Sequence, residues 1–161
     1  MKPSLVFASL IFIAFGSLGQ CKWKIDRTDP ITEEKHLESK RIMVKRLSSS
    51  IQLILARKGD VSYLTSDFFV GLIADETIRD PKLQIKLEDG NLITMEPTDV
   101  TAKLYSLLMK YVVSESDLLK LANSNVVAIQ ASFNAIEKLY ELKKGEMKAI
   151  RQYASCLADE I

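Results

Sequence analysis

Lys82-Leu83-Gln84-Ile85-Lys86-Leu87-Glu88-Asp89-Gly90-Asn91-Leu92-Ile93-Thr94-Met95 is the stretch whose reading decides the fold class. Leu83, Ile85 and Leu87 alternate with Lys82, Gln84 and Lys86. Successive side chains of a strand point to opposite faces, so this spacing buries the three aliphatic residues and leaves the lysines in water. Asp89-Gly90-Asn91 interrupts the alternation, and Leu92 to Met95 resumes an apolar run. Strand, Asp-Gly and strand read as a β-hairpin, because glycine takes the positive φ of a tight turn at no steric cost.

The same periodicity extends outward in both directions. Residues 51–56 and 61–70 flank Arg57-Lys58-Gly59-Asp60 and predict a second hairpin around Gly59. Residues 23–29 alternate Trp23, Ile25 and Arg27 against Lys24 and Asp26, and Pro30, which cannot donate to a ladder, ends that strand. Residues 37–47 read as a further strand, with a polar helix over 33–46 as the other option. Residues 104–113 predict a strand whose buried face carries Tyr105, Leu107, Met109 and Tyr111. Residues 126–133 predict one with Val127, Ile129, Ala131 and Phe133 on a common face, and residues 135–142 add a last strand.

Helical signals are confined to the second half. Ser114-Glu115-Ser116-Asp117 supplies a hydroxyl to cap the first-turn N–H groups and acids for the positive end of the dipole, so a short helix is predicted near 115–122. Met147, Ile150, Ala154, Leu157 and Ile161 recur at spacings of three and four. They predict an amphipathic helix near 144–159, with Glu146, Lys148, Arg151, Gln152 and Asp159 turned to solvent. The expected fold is α+β: a single antiparallel sheet of about six to eight strands, with the C-terminal helix covering one face.

Residues 1–19 read as an export signal, followed by one domain over 20–161. Lys2 precedes an apolar run over residues 5–15, which is shorter than the roughly 20 residues that span a bilayer as helix. Ser17 and Gly19 occupy the two positions a signal peptidase needs small. Cleavage after Gly19 leaves Gln20 first. Leu18-Gly19-Gln20-Cys21 also resembles a lipobox, in which Cys21 would be lipidated and anchor the chain to a membrane. Gln20, next to the cleaved bond, departs from that pattern. The expected location is the periplasm or the extracellular space, with a lipoprotein anchored through Cys21 as the alternative and no transmembrane helix in the mature chain.

The whole sequence is 47% hydrophobic and 27% charged, as globular proteins are. Loss of the signal removes one lysine and no acid, leaving 21 basic and 21 acidic residues. A neutral chain lacks the basic surface that displaces counterions from nucleic acid. The two cysteines, Cys21 and Cys156, are available for a disulfide in an oxidising compartment. Closing so long a loop stabilises by about 4–5 kcal/mol in the chain-entropy account. A lipidated Cys21 would leave Cys156 free, so the two readings exclude each other.

No catalytic or cofactor constellation emerges. His36, the only histidine, sits among Glu33, Glu34, Lys35 and Glu38 and reads as a surface residue, since H-E-x-x-H is absent. No G-x-S-x-G elbow, phosphate-binding glycine loop or C-x-x-C is present. Glu33-Glu34 and Glu88-Asp89 are adjacent carboxylates, which a strand would turn to opposite faces, and Asp26 and Asp29 beside Arg27 read as a salt-bridged strand end. No cofactor or metal is expected. Phe68-Phe69-Val70-Gly71-Leu72-Ile73 packs large side chains consecutively. A single sheet sends some of them out of its core face, so Phe68, Phe69, Leu72 and Ile73 form a candidate apolar interaction patch for a protein or apolar ligand.

Ile85-Lys86-Leu87-Glu88-Asp89-Gly90-Asn91-Leu92-Ile93-Thr94-Met95, with the Gln20 start and the final helix, resembles small exported bacterial domains of unknown function. The resemblance implies a strand meander and no particular activity. The expected function is an exported, non-catalytic binding or interaction domain. An envelope hydrolase with a site assembled from Glu33 or Asp26, and a carrier of lipid or apolar ligands, are the alternatives.

Overall fold

A computed structural model describes residues 21–46, 49–69, 71 and 78–161. The strands are β1 (Ile25–Thr28), β2 (Lys35–Glu38), β3 (Ile42–Lys45), β4 (Ser50–Lys58), β5 (Val61–Phe69), β6 (Lys82–Leu87), β7 (Leu92–Met95), β8 (Asp99–Ala102), β9 (Ser106–Val113), β10 (Val126–Phe133) and β11 (Ile136–Glu141). Helix α1 (Glu115–Asn123) joins β9 to β10, and α2 (Lys144–Ala158) follows β11. The expected signal and the residues Leu72 and Ile73 lie outside the described residues.

The hairpin of β6 and β7 forms as its alternation requires. Ile85 lies opposite Ile93 and Leu83 opposite Met95, all four in the core. Gly90 takes φ 88°, and the Asp89 carboxylate accepts the Asn91 N–H at 3.0 Å, so the turn is held by the residues that announce it. The hairpin of β4 and β5 is longer. Nine consecutive pairs run from Ser50↔Phe69 to Lys58↔Val61, closed through Gly59 at φ 56°.

The expectation of one sheet is corrected: there are two. The larger has the order β1-β2-β4-β5-β9-β8, with β3 also paired to β4, and the smaller has the order β11-β10-β6-β7. Every pairing is antiparallel. Alternation shows that a strand has one buried face, not what covers it. At about 1.5 Å per residue, α2 is too short to cover seven strands alone. The inner face of the small sheet supplies the remaining cover, and Phe68 of β5 stacks on Phe133 of β10 at 6.4 Å between ring centres. Strand β8 escapes the period-two reading because its four residues are short, exposed or half-buried, and at the sheet edge.

Residues 37–47 do not make one continuous strand. Strand β2 pairs with Ala56 to Lys58 and β3 with Ser50 to Leu53, so both run along the same edge of β4. Buried Ser39 bridges the break: its N–H donates to the Leu55 carbonyl at 2.8 Å, and its hydroxyl accepts the Leu55 N–H at 3.0 Å. In β10 the expected inward face holds for Ile129, Ala131 and Phe133 but not for Val127. A register shift between Val126 and Ala128 turns Val126 inward instead. Tyr105 precedes β9 and is exposed, while Leu107, Met109 and Tyr111 are buried.

Helix α1 begins as its sequence implies. The Ser114 hydroxyl accepts the Asp117 N–H at 3.1 Å, and Leu118 and Leu121 face the core. Helix α2 buries Ile150, Ala154 and Leu157 against β3, β4, β10 and α1, while Ile161 lies beyond the helix and is exposed. Cys21 and Cys156 are joined in a disulfide, with their Cα atoms 6.4 Å apart. The bridge ties the start of the described chain to α2. Around it, Trp23 packs on Tyr153 and the Tyr153 hydroxyl donates to the Lys22 carbonyl at 3.1 Å.

Two measurements test these contacts. Replacing both cysteines by serine lowers stability by about 2–5 kcal/mol, read as a lower denaturant midpoint; an unchanged midpoint would show that the bridge does not staple the fold. The second concerns Asp117. Burial opposes its charge, but hydrogen bonds from Lys120 and Ser114 outweigh burial and hold its carboxyl below the usual range. A depressed folded-state pKa adds stability that is complete above the ordinary carboxylate pKa and is lost as pH falls through the lowered value. Solvent still reaches and screens this partly exposed group, so Asp117→Asn costs only about 0.5 kcal/mol near neutral pH. Denaturation curves of the two proteins converge in acid; a gap that stays constant with pH contradicts the assignment.

Candidate functional site

Strands β4, β5 and β9 are buried on both sides to different degrees. Their inner residues vanish into the core, whereas Gln52, Ile54, Ala56, Tyr63, Thr65, Asp67, Leu108 and Lys110 on the other face are half-buried. An antiparallel sheet tolerates one solvated face, and a flat solvated face would expose such side chains further. Here the face is concave and encloses a groove of about 730 Å³. That volume falls within the range of small-molecule sites, about 300–1,000 Å³.

Register assembles the floor. Ile54, Thr65, Lys110 and Asp99 follow one another across β4, β5, β9 and β8. Gln52, Asp67 and Leu108 form the next row, and Ala56 and Tyr63 the row on the other side. His36, Glu38 and Arg41 line the β2 flank, and Asp99 and Lys103 the β8 flank. Beyond Asp67 on the same strand face, Phe69 stacks on Tyr105 at 6.4 Å, and both are exposed beside exposed Leu104.

The charges of the groove are unevenly matched. Lys103 pairs with Asp67 at 3.1 Å, and Lys24 outside the groove pairs with Glu38 at 2.6 Å. Lys110 instead lies 3.8 Å from the centre of the Tyr63 ring, an attraction between a cation and the negative face of an aromatic ring. Neither Lys110 nor Arg41 has an ion-pair partner among the described residues. The second oxygen of Asp67, Oδ1, is buried and accepts no hydrogen bond among the described residues. A buried acceptor without a donor is costly, and basic residues outnumber acidic ones in the lining, so the groove is positively biased and incompletely satisfied.

The residues singled out by sequence are dispersed. His36 reaches the groove flank, opposite Arg27 and Lys58 in the sheet. Glu33 and Glu34 line a separate hollow of about 360 Å³ with Asp60 and Glu160. Within that hollow Glu160 meets Lys35 and Asp60 approaches Arg57, while Glu34 approaches Lys58 of the groove lining. Asp29 accepts the N–H groups of Thr32 and Ile31, which hold its carboxyl below the usual range. Glu88 takes a hydrogen bond from Asn125 at 2.7 Å, away from any partner acid of the groove. Phe68 is fully buried, while Phe69 points outward. Among the described residues no three His, Cys, Asp or Glu side chains are placed to hold a metal ion, and no helix is long and apolar enough to cross a membrane.

The groove residues Tyr63, Thr65, Asp67, Lys110 and Arg41 carry no motif. The available signal is the outer face of the second hairpin, where Ile54 and Ala56 stand at positions that alternation assigns to water.

The groove supports a direct test of its electrostatics. Tyr63→Leu removes the ring that holds Lys110, so the Lys110 side chain becomes more mobile while the half-buried site keeps its packing. Side-chain relaxation of Lys110 reports the change, and an unaltered Lys110 signal would show that the ring contact does not position it. Comparison with protein-family models, curated proteins and solved structures finds no match for this chain, so the groove is interpreted from its own residues.

Proposed function

We propose that this chain is an exported, non-catalytic binding domain that takes its ligand in the groove across the open face of the large sheet. The observation that carries this reading is the half-buried floor of β4, β5 and β9, a concave surface of about 730 Å³ with unmatched polar groups. Export rests on the pattern of residues 1–19 and is compatible with the Cys21–Cys156 bridge, which occupies the thiol that lipidation would require. A carrier of acyl chains is less well served, because charged side chains line both flanks of the groove. The hydrolase reading looks to Glu33 or Asp26, neither of which lines the groove; the acids that do line it include Glu38 and Asp67, each ion-paired with a lysine, an arrangement that suits binding.

Two experiments test the proposal. Intact-mass spectrometry of protein from its native envelope finds the chain beginning at Gln20 with no acyl mass; an acylated Cys21 overturns the processing. For the groove, Thr65→Arg places a long cation on the floor of the central row. Ligands found by titration against the labelled protein shift the floor resonances of the parent and lose binding to the variant. Stability stays within about 0.5 kcal/mol, as for a substitution outside the core. Ligands that bind both proteins equally would place the site elsewhere.

A further inference from the structure

Strand β8 is an open edge of the large sheet: it pairs with β9, and among the described residues no strand pairs with its other side. The Lys103 N–H donates to the Ser106 carbonyl at 2.8 Å across the turn between β8 and β9. Hydrogen-bonding direction alternates along a strand, so Asp99, Thr101 and Lys103 turn their backbone groups towards β9, and Val100 and Ala102 turn theirs outwards. Side chains alternate in step, and Asp99 and Lys103 line the groove, so Thr101 between them shares that face. Asp99 has no ion-pair partner among the described residues, because Lys110, directly across on β9, holds its ammonium over Tyr63 instead. Lys103 meets Asp67 at 3.1 Å on its inner side, and its ammonium has further donors to offer. The centre of β8, Val100-Thr101, carries neither a proline nor a charge, the common guards of an exposed edge.

We propose that two copies of this chain join edge to edge through antiparallel β8 strands, with Thr101 on the two-fold axis and Asp99 of each copy against Lys103 of the other. This register meets every local requirement. Val100 faces Ala102 of the second copy, and these are the residues whose N–H and C=O groups point outwards, so the backbone bonds close in both directions. Thr101 faces its own counterpart at the closer, non-hydrogen-bonded spacing of about 4.5 Å. Opposite charges and paired threonines are favourable cross-strand neighbours. Centring the pair on Val100 or Ala102 instead sets Asp99 or Lys103 against Thr101 and loses both ion pairs. Strand β11, an edge of the small sheet, is guarded against the same pairing. Centred on Lys138 it sets two lysines together, and centred on Leu139 it sets Glu137 against Glu141. The two-fold axis stands perpendicular to the sheet, so the two seven-stranded sheets continue into each other and both grooves open on the same side. The pairing rests on the chemistry of the edge and not on what the groove binds.

Sedimentation equilibrium of the full disulfide-bonded chain tests the pairing. The parent forms a concentration-dependent dimer that weakens as salt rises. Asp99→Lys and Lys103→Asp each set like charges together at both ends of the ladder and weaken dimerisation by about tenfold or more. Mixed in equal amounts, the two variants associate with each other and regain the parent's affinity, because each reversed side chain then meets an opposite charge on the other copy. Ala102→Pro removes an outward N–H that β9 does not use, and it abolishes the dimer. Thermal unfolding of each variant verifies that the fold is retained. A parent that stays monomeric across the concentration series overturns the proposal. A dimer indifferent to the charge reversals and to Ala102→Pro overturns it in favour of another surface, and a mixture of the two reversed variants that fails to associate overturns the register.

Discussion

The nine-residue ladder between β4 and β5 is the constraint on which the rest of the structure depends. Its inner side chains, Ile51, Leu53, Leu55, Leu64 and Phe68, fill the core, and its outer ones, Gln52, Ile54, Ala56, Tyr63, Thr65 and Asp67, floor the groove. A slip of one residue would exchange the two sets, placing Asp67 and Gln52 in the core and five large apolar side chains in water. Core and groove are therefore specified by the same register. The small sheet, α1 and α2 all pack on the side that this register makes apolar.

That arrangement explains the polar residues buried in the inner face. Ser62 and Ser66 lie among the aliphatic residues of β5, and Ser66 donates to the Tyr111 hydroxyl at 3.4 Å. Burial pushes the Tyr111 phenol up, and the serine contact offsets only part of that. The phenol therefore stays neutral and acts as a packing group with one polar contact. Ser39 fulfils a similar need at the break between β2 and β3, where its hydroxyl replaces a missing strand neighbour for Leu55. The Ser39 and Ser66 hydroxyls each satisfy a backbone or phenolic group at a point where an aliphatic side chain would leave it unpaired.

Local chemistry was legible in the sequence and long-range assembly was not. Gly90 and Gly59 announce their turns, Ser114 its helix, and the stripe through Ile150, Ala154 and Leu157 its buried face. The pairing of Cys21 with Cys156 was open because two thiols far apart in the chain meet only if the intervening elements bring them together. Period-two alternation is the same for strands of one sheet or two, so the division into layers depends on which faces fit, such as Phe68 on Phe133. The bulge at Val126 inverted one residue of an otherwise correct face. The groove was hidden for a related reason. Tyr63, Asp67, Arg41 and Lys110 are unremarkable alone and gain meaning only when three separate segments of the chain bring them to one face.

The cysteine bridge has a consequence for the order of assembly. Its partners are 135 residues apart, so the crosslink forms only after nearly every strand has been synthesised. Until then β1 is held to β2 by one short ladder at the sheet margin, and neither the Trp23 ring nor the Lys22 carbonyl has Tyr153 to rest on. The first strand in the chain is thus among the last to be secured. Oxidation acts as a terminal latch on a barrel of contacts already in place, and a reducing environment encountered during synthesis would leave the core intact with its leading edge unfastened.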